Sequence, residues 1–466
     1  MFREGEEMTA SKIAPELLGS EEFKKEYNLK YAYAAGGMYK GIASKELVVK
    51  MGKAGMLGYF GTGGLEIAQI EESIQPIQKE LKNGEAYGMN LLCNLFCPEL
   101  EEETIDLFLK YGIRNIEAAA YMQITPALVK FRLKGLSNGE NGEISVKNKI
   151  MGKVSRPEVA QAFLSPAPGP VVEKLLKKNK ITQEEADLSQ RVPMVDALCV
   201  EADSGGHTDH GVALVLMPAM IKLRDEFMKK YQYAKKVRVG AAGGIGTPEA
   251  AAAAFVLGAD FIMTGSINQC TVEAGTSDAV KDLLQQMNIR DTEYAPAGDM
   301  FELGAKVQVL KKGLFFPARA NKLYDLYRQY NSLDEIDEKT KTQIQEKYFK
   351  KSFEEVWNDC LEFYGKNAPE ELEKAQNNPK YKMALVFRWY FGLSTQLALS
   401  GNAERRVDYQ VNCGPALGAF NQWVKGTELE NWRSRRVDEI AVKLMKEAAE
   451  VLSKRFQAFL ETEVKP

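Results

Sequence analysis

The chain has 466 residues, with 61 lysines and arginines against 64 aspartates and glutamates, for a formal net charge of -3. That balance argues against a whole-protein nucleic-acid surface, and 45% hydrophobic with 27% charged residues is ordinary for a globular protein of one large domain plus an appendage, or of two to three average domains. The charged start Met1–Glu7 lacks a signal-peptide core, apolar runs such as Gly211–Ile221 fall short of the roughly 20 residues of a membrane span, and six sparse cysteines argue against a disulfide scaffold, so a cytoplasmic home is expected.

Residues 1–30 read as a helical lead-in, with Ala10–Leu18 and Glu21–Tyr27 free of turn signals. From Tyr31 to about residue 290, short apolar strands alternate with amphipathic helices. Strands are predicted over Tyr31–Gly36, Met56–Gly61, Ala86–Leu91, Asn115–Ala119, Lys149–Lys153, Asp196–Glu201, Arg238–Ala242 and Phe261–Gly265. Helices are predicted over Ser44–Ala54, Leu65–Lys82, Leu100–Tyr111, Thr125–Lys134, Arg156–Phe163, Met217–Tyr231, Pro248–Leu257 and Ser277–Met287. The fifth interval is longer, carries Pro166, Pro168 and Pro170, and is expected to hold two short helices around Val171–Lys178 and Thr182–Ser189. Cys93 and Cys97, the one close cysteine pair, are expected to be core thiols and not metal ligands.

Strands alternating with helices imply βαβ units and a parallel sheet. Eight such units close most economically as a (β/α)8 TIM barrel of about 250 residues. A doubly wound open sheet competes, but the first turn, Ala34-Ala35-Gly36-Gly37-Met38, lacks the G-x-G-x-x-G fingerprint. Beyond about residue 290 the composition changes. Trp357, Trp389, Trp423 and Trp432 all lie there, helical periodicity runs over Lys322–Tyr330, Lys339–Cys360, Pro369–Gln376, Lys382–Leu399 and Val437–Phe459, and strand patterns are almost absent. The expected organisation is a lead-in over 1–30, a barrel over 31–290 and a mainly helical C-terminal cap over 291–466.

The sixth strand ends in Glu201-Ala202-Asp203-Ser204-Gly205-Gly206-His207-Thr208-Asp209-His210, which holds both histidines of the chain. A strand that stops in a Gly-Gly-His corner reads as a barrel rim where backbone approaches a ligand closely, although the tripeptide alone is equally a tight polar turn. In (β/α)8 enzymes functional residues sit at the C-terminal strand ends, and phosphates are often held after strands seven and eight. Strand seven here runs into Gly243-Gly244-Ile245-Gly246-Thr247-Pro248, with Thr247 a candidate N-cap and Pro248 at the first helical position. Strand eight ends in Thr264-Gly265-Ser266. The two corners together predict a mononucleotide phosphate cradle, with flavin or a similar cofactor as the expected occupant. Its ring would lie towards strands one to three, whose ends carry Gly36-Gly37-Met38, Gly61-Thr62-Gly63-Gly64 and Gly88-Met89-Asn90. Asn90 is the candidate for the polar edge of the ring and Lys153 for stabilising its anionic reduced form; an ordinary turn asparagine and a solvated loop lysine are the alternatives.

Val-Glu-Ala-Asp-Ser-Gly-Gly-His-Thr-Asp at 200–209, Ala-Gly-Gly-Ile-Gly-Thr-Pro at 242–248 and Thr-Gly-Ser-Ile-Asn-Gln at 264–269 together resemble the nitronate monooxygenase-like flavoprotein superfamily. Within it the chain most resembles the PfaD family of trans-acting enoyl reductases from polyketide and polyunsaturated fatty acid synthases. Val307–Gly313, Phe316–Leu323 and Cys413–Asn421 are similar to that subfamily and not to the superfamily at large, so the resemblance covers nearly the whole chain beyond about residue 30. It implies an FMN-bearing barrel that reduces an α,β-unsaturated thioester on an acyl carrier protein, with NADPH or NADH as electron source. It puts His207 at the active-site histidine and Gly243, Gly244, Gly265 and Ser266 on the flavin-phosphate turns. Members often carry Gly-x-Glu-Ala before the Gly-Gly-His; here Glu201-Ala202-Asp203-Ser204 stand there, which leaves the roles of Glu201 and Asp203 open.

His207 is then the expected proton donor, because an imidazole near its ordinary pKa supplies a proton at neutral pH, and His210 is expected at the rim. Lys306, Lys311, Lys312, Arg319 and Lys322 are the candidate docking surface for the acidic carrier protein, weighed against a solvated charged face. Trp389 and Trp423 are candidate linings of an acyl channel, weighed against simple core packing. A homodimer is left open. The competing readings are a nitronate monooxygenase-type oxidase acting on small nitronates, and a non-catalytic scaffold of a synthase assembly.

Overall fold

The computed structural model describes residues 12–94, 98–139 and 142–462, so Cys97 and the first residues of the lead-in lie outside the described residues. The described residues form two compact units: one of those up to 203, 210–275 and from 426 onward, the other of 204–209 and 276–425.

The first unit is a closed parallel barrel of β1 (Tyr33–Ala35), β2 (Leu57–Phe60), β3 (Gly88–Leu92), β4 (Asn115–Ala119), β5 (Lys149–Val154), β6 (Ala197–Glu201), β7 (Arg238–Ala242) and β8 (Ile262–Thr264). Each strand pairs with its sequence neighbour, and β8 closes on β1 with Tyr33 opposite Ile262 and Ala35 opposite Thr264. All eight predicted strands are present to within two residues at each end. Their apolar character on both faces is the reason, since parallel strands wrapped in helices are buried on both sides. Helix starts follow from side-chain capping: Ser44, Thr125, Thr182 and Thr247 each accept a backbone N–H from the first turn.

The lead-in closes the bottom of this barrel. Helix Glu21–Tyr27 inserts Phe23 and Tyr27 into a core with Ala34, Tyr59, Met151, Cys199 and Met263, and the Phe23 ring stacks on Phe261 at 4.3 Å. Small interior residues leave the space these two rings fill. The division between units does not fall at residue 290. Helix Val437–Thr462 packs on helices Pro248–Val256 and Lys45–Lys53 of the barrel. Pro248–Val256 has a run of alanines over 250–254 with little bulk, and it is covered by the apolar stripe Ile440, Ala441, Leu444, Met445 and Ala448. Just before that helix, the fully buried Arg435 donates to the carbonyls of Leu429 and Glu430, and Val272 N–H donates back to its carbonyl.

The second unit is mainly helical, over Phe316–Gln329, Phe353–Asn367, Pro369–Gln376, Pro379–Ser400 and Pro415–Trp423, around an aromatic core of Phe301, Phe316, Phe349, Phe387, Tyr390 and Phe391. Two expectations are corrected here. The strands Thr292–Pro296 and Lys306–Leu310 form an antiparallel hairpin whose inner strand also pairs with Gly206–Thr208, giving a three-stranded sheet where hardly any strand was predicted. The helix expected over 339–360 is broken: a π-helical turn covers Ile344–Phe349, Lys350 takes φ 61°, and Ser352 opens a new helix in a capping box with Glu355. Among the described residues no helix is long and apolar enough to cross a membrane.

Candidate active site

The C-terminal ends of β1, β3, β4, β5 and β6 converge on a residue that the sequence reading missed, Glu117 of β4. Its side chain is fully buried. Gly37 N–H donates to Glu117 Oε2 at 2.6 Å, Asn90 Nδ2 donates to the same oxygen at 3.3 Å and to the Glu117 carbonyl at 3.3 Å, and Lys153 Nζ stands 3.7 Å from Oε1. Lys153 also pairs with Glu201, Nζ to Oε1 at 3.2 Å. Four separately predicted positions, Gly37, Asn90, Lys153 and Glu201, are therefore one connected cluster. Asn90 is buried with its amide donating twice to Glu117, and Lys153 is mostly buried in an ion-pair chain; neither is a solvated loop residue. An acid inside an otherwise apolar buried strand, Asn-Ile-Glu-Ala-Ala, was the available signal for Glu117.

The electrostatics follow from burial. Loss of water pushes the Glu117 carboxyl above the ordinary carboxylate range, against the pull of the Lys153 ammonium and the Gly37 N–H. Burial also works against the charge on Lys153, but Glu201 and Glu117 outweigh it and hold the ammonium well above its ordinary pKa. The cluster thus carries two acids against one cation, with the proton of Glu117 as the adjustable charge. Gly37 is required by close approach: a Cβ there would sit 2.5 Å from Asn90 Cβ and 2.8 Å from Glu117 Oε2. Gly36 donates its N–H to the Thr264 carbonyl at 3.0 Å, tying the β1 corner to β8, and Met38 follows in extended conformation.

The β7 and β8 corners are neighbours, since Ala242 pairs with Met263 and each glycine follows directly. Gly243 and Gly244 have φ of 83° and 75°, and a Cβ on Gly243 would meet the Ala202 carbonyl oxygen at 2.5 Å. A Cβ on Gly244 or Gly265 would meet nothing within 4 Å, so both corners have space above them. Thr247 caps the helix that follows, accepting from Ala250 N–H, while Ile245 turns into the core and Ser266 opens a short 3-10 turn.

His207 belongs to the second unit, in the strand Gly206–Thr208, with Val307 opposite it. At the first glycine of the Gly-Gly corner the close approach is made by the chain itself. Gly205 is approached by the chain's own backbone, since a Cβ would sit 2.5 Å from Cys413 Cα, and Gly206 takes φ 88° as the strand begins. The segment at 413–421 that carries the subfamily resemblance is what packs on this corner. His207 Nε2 lies 2.9 Å from Asp299 Oδ1. The ends of the 204–209 excursion are tied within the barrel unit, where Asp203 N–H donates to the Gly211 carbonyl at 2.8 Å. His210 is exposed with φ 58°.

The proposed docking cluster is only partly a charged face. Arg319 turns inward onto the buried Asp408, and Lys306 lies over the Tyr324 ring, whereas Lys311 and Lys312 are half-exposed beside Glu293 and Asp291. Trp389 packs edge-on against Phe349 and Trp423 against Phe420.

Known proteins share this arrangement to different extents. Residues 330–409 match the family model of the inserted helical domain of [acyl-carrier-protein] S-malonyltransferase. The chain is 62% identical over 446 residues to the polyketide biosynthesis protein PksE of Bacillus subtilis, covering 96% of this chain and 58% of PksE. It is 45% identical over 417 residues to a polyunsaturated fatty acid synthase protein of Thraustochytrium, covering 89% of this chain and 28% of that protein. The chain thus spans only part of the length of these curated relatives. It superposes with TM-score 0.92 on the enoyl reductase domain of MlnA from the macrolactin cluster of Bacillus amyloliquefaciens, at 49% identity, covering 95% of this chain and 99% of that domain. Fold and similarity together define a TIM barrel of the synthase-associated, enoyl reductase type. The chain belongs to the PfaD family of trans-acting enoyl reductases, within the TIM-barrel flavoenzyme superfamily.

Proposed function

We propose that the chain is an FMN-dependent enoyl reductase that reduces the α,β-double bond of enoyl thioesters carried on acyl carrier protein, with NADPH or NADH as co-substrate, in a cytoplasmic polyketide or polyunsaturated fatty acid synthase. The observation that carries the reading is the barrel rim, where two open glycine corners on adjacent strands stand in one ring with the buried Glu117–Lys153–Glu201 cluster. The residues fit a flavin mononucleotide: backbone of Gly243, Gly244, Ile245, Gly265 and Ser266 for the phosphate, Gly36, Gly37, Met38 and Asn90 for the ring, and Lys153 with Glu201 for its charge. Bound flavin would take hydride from the nicotinamide nucleotide and pass it to the thioester β-carbon.

The chain's own residues supply the rest. Lys153 is held cationic by two carboxylates and so offers a fixed positive charge to an anionic group at the rim. His207 donates the proton that the α-carbon takes up as charge develops on the thioester oxygen. The carrier protein would dock on exposed lysines of the second unit, Lys311, Lys312 and Lys322, with the helical segment 330–409 beside them in sequence.

Mass spectrometry of the chromophore released from the purified protein, with NADPH oxidation assayed against crotonyl-carrier protein and against an alkyl nitronate, tests the reading. FMN and thioester-dependent oxidation are expected. Turnover of nitronate alone would replace the reading with an oxidase, and a protein that binds no flavin would replace it with a scaffold.

A further inference from the structure

We infer that Asp299 is the positioning residue of His207, holding the Nε2 edge of the imidazole and favouring its protonated form; the inference rests on the reading of His207 as proton donor. The two residues are 92 positions apart in sequence and meet at 2.9 Å. Backbone geometry brings them together. His207 is paired with Val307, and Asp299 lies in the loop that joins Thr292–Pro296 to the strand of Val307.

That loop is anchored on both sides of Asp299. Ala297 N–H donates to the Ala305 carbonyl at 2.8 Å, extending the hairpin. Gly298 lies so close to Phe391 that a Cβ would sit 2.7 Å from it, and Phe301 is fully buried with its ring 5.5 Å from that of Phe391. Asp299 is therefore presented from a fixed turn. A carboxylate accepting from Nε2–H sets the tautomer of the neutral ring and stabilises the imidazolium.

The cations around the pair favour the Asp299 carboxylate and oppose the imidazolium, so the carboxylate is the group that favours protonation of His207. Burial disfavours the charge on Asp299, but the imidazole and, more weakly, Arg388 hold its carboxyl below the usual range. Arg388 is itself fixed by Glu302 at 3.2 Å. Lys306, on the strand beside His207, has its ammonium over the Tyr324 ring at 5.2 Å. The side chains of His207 and Asp299 are 47% and 60% exposed, so water limits the coupling to the range of a surface pair.

Because the chain has two histidines, the His210→Gln protein leaves a single imidazole to observe by 15N NMR. In that background Asp299→Asn should lower the titration midpoint of His207 by up to about 0.7 pH units and change its tautomer ratio. Asp299→Ser should do the same, and Asp299→Glu should restore the midpoint. Enoyl reduction by Asp299→Asn should fall most at alkaline pH, with flavin content and melting temperature unchanged. An unaltered His207 midpoint and tautomer ratio in both neutral variants overturns the inference whatever the turnover. A shifted midpoint with wild-type turnover at every pH upholds the coupling and instead removes His207 as proton donor.

Discussion

Lys153 and Glu117, on neighbouring barrel strands, meet at 3.7 Å with the carboxylate fully buried and the lysine held from its other side by Glu201 at 3.2 Å. A buried acid needs its counter-charge far more than the pair needs to exist. Lys153→Met should therefore destabilise the flavin-free protein by about 3–5 kcal/mol, and adding Glu117→Gln should recover much of the loss. The pH dependence has a definite sign. The folded value of Glu117 is raised above its ordinary 4.5, so the folded protein binds this proton more tightly than the unfolded chain, and stability falls as pH rises through that window. Without the ammonium the window extends upward. Urea unfolding of Lys153→Met from pH 5 to 8 should show a steeper loss than wild type; parallel curves would mean the two groups are uncoupled.

The glycine corners separate binding from folding. Gly265 has a negative φ of -133° with ψ of -70°, and a Cβ there meets no atom within 4 Å. Gly265→Ala should fold with a melting temperature close to wild type, because the new methyl meets no atom, while weakening FMN at least about tenfold by filling the corner. Gly243→Ala should lose stability outright, because φ is 83° and the Ala202 carbonyl oxygen is 2.5 Å from the new methyl. Calorimetry of the flavin-free proteins and FMN titration read the two effects independently. Wild-type FMN affinity in Gly265→Ala would move the phosphate elsewhere.

The barrel was legible because each strand is a short apolar run between glycine or proline signals, and local pattern suffices for that. Gly37, Asn90, Lys153 and Glu201 were legible one at a time as strand-end residues. Their union was not, since Glu117 sits 27 residues from Asn90 and 36 from Lys153 and only the register of β3, β4 and β5 brings them together. The strands Thr292–Pro296 and Lys306–Leu310 were hidden by composition: they lie among aromatic and charged residues, and the pairing of the second with Gly206–Thr208 spans about a hundred residues. The break at Lys350 carries no glycine or proline, so periodicity ran through it.

His207→Ala should retain FMN, since the glycine corners and the Glu117 cluster belong to the barrel unit and His207 to the other. Enoyl reduction should fall about 10²–10⁴-fold, the usual cost of a lost general acid. Stopped-flow oxidation of the NADPH-treated protein by crotonyl-carrier protein isolates that step. An unchanged rate there would take His207 out of the reaction.

Arg319 and Lys312 stand close in sequence, and the structure gives them opposite fates. Arg319 pairs with Asp408, which is buried and also accepts from Tyr390 Oη at 2.7 Å and from Arg405 at 2.8 and 2.9 Å. Two guanidiniums converge on one buried carboxylate, so Asp408→Ala leaves two partly buried cations facing each other and should cost about 3 kcal/mol in the helical unit. Arg319→Glu sets a second carboxylate against Asp408 and should be at least as damaging. Lys312 is half-exposed beside Asp291, and a surface pair of that kind contributes about 0–1 kcal/mol. Lys312→Glu should then leave the melting temperature unchanged, raise KM for crotonyl-carrier protein and spare crotonyl-pantetheine. Equal KM changes for both substrates would remove this lysine from carrier docking, and a fully stable Arg319→Glu would show that the Asp408 network does not hold the unit together.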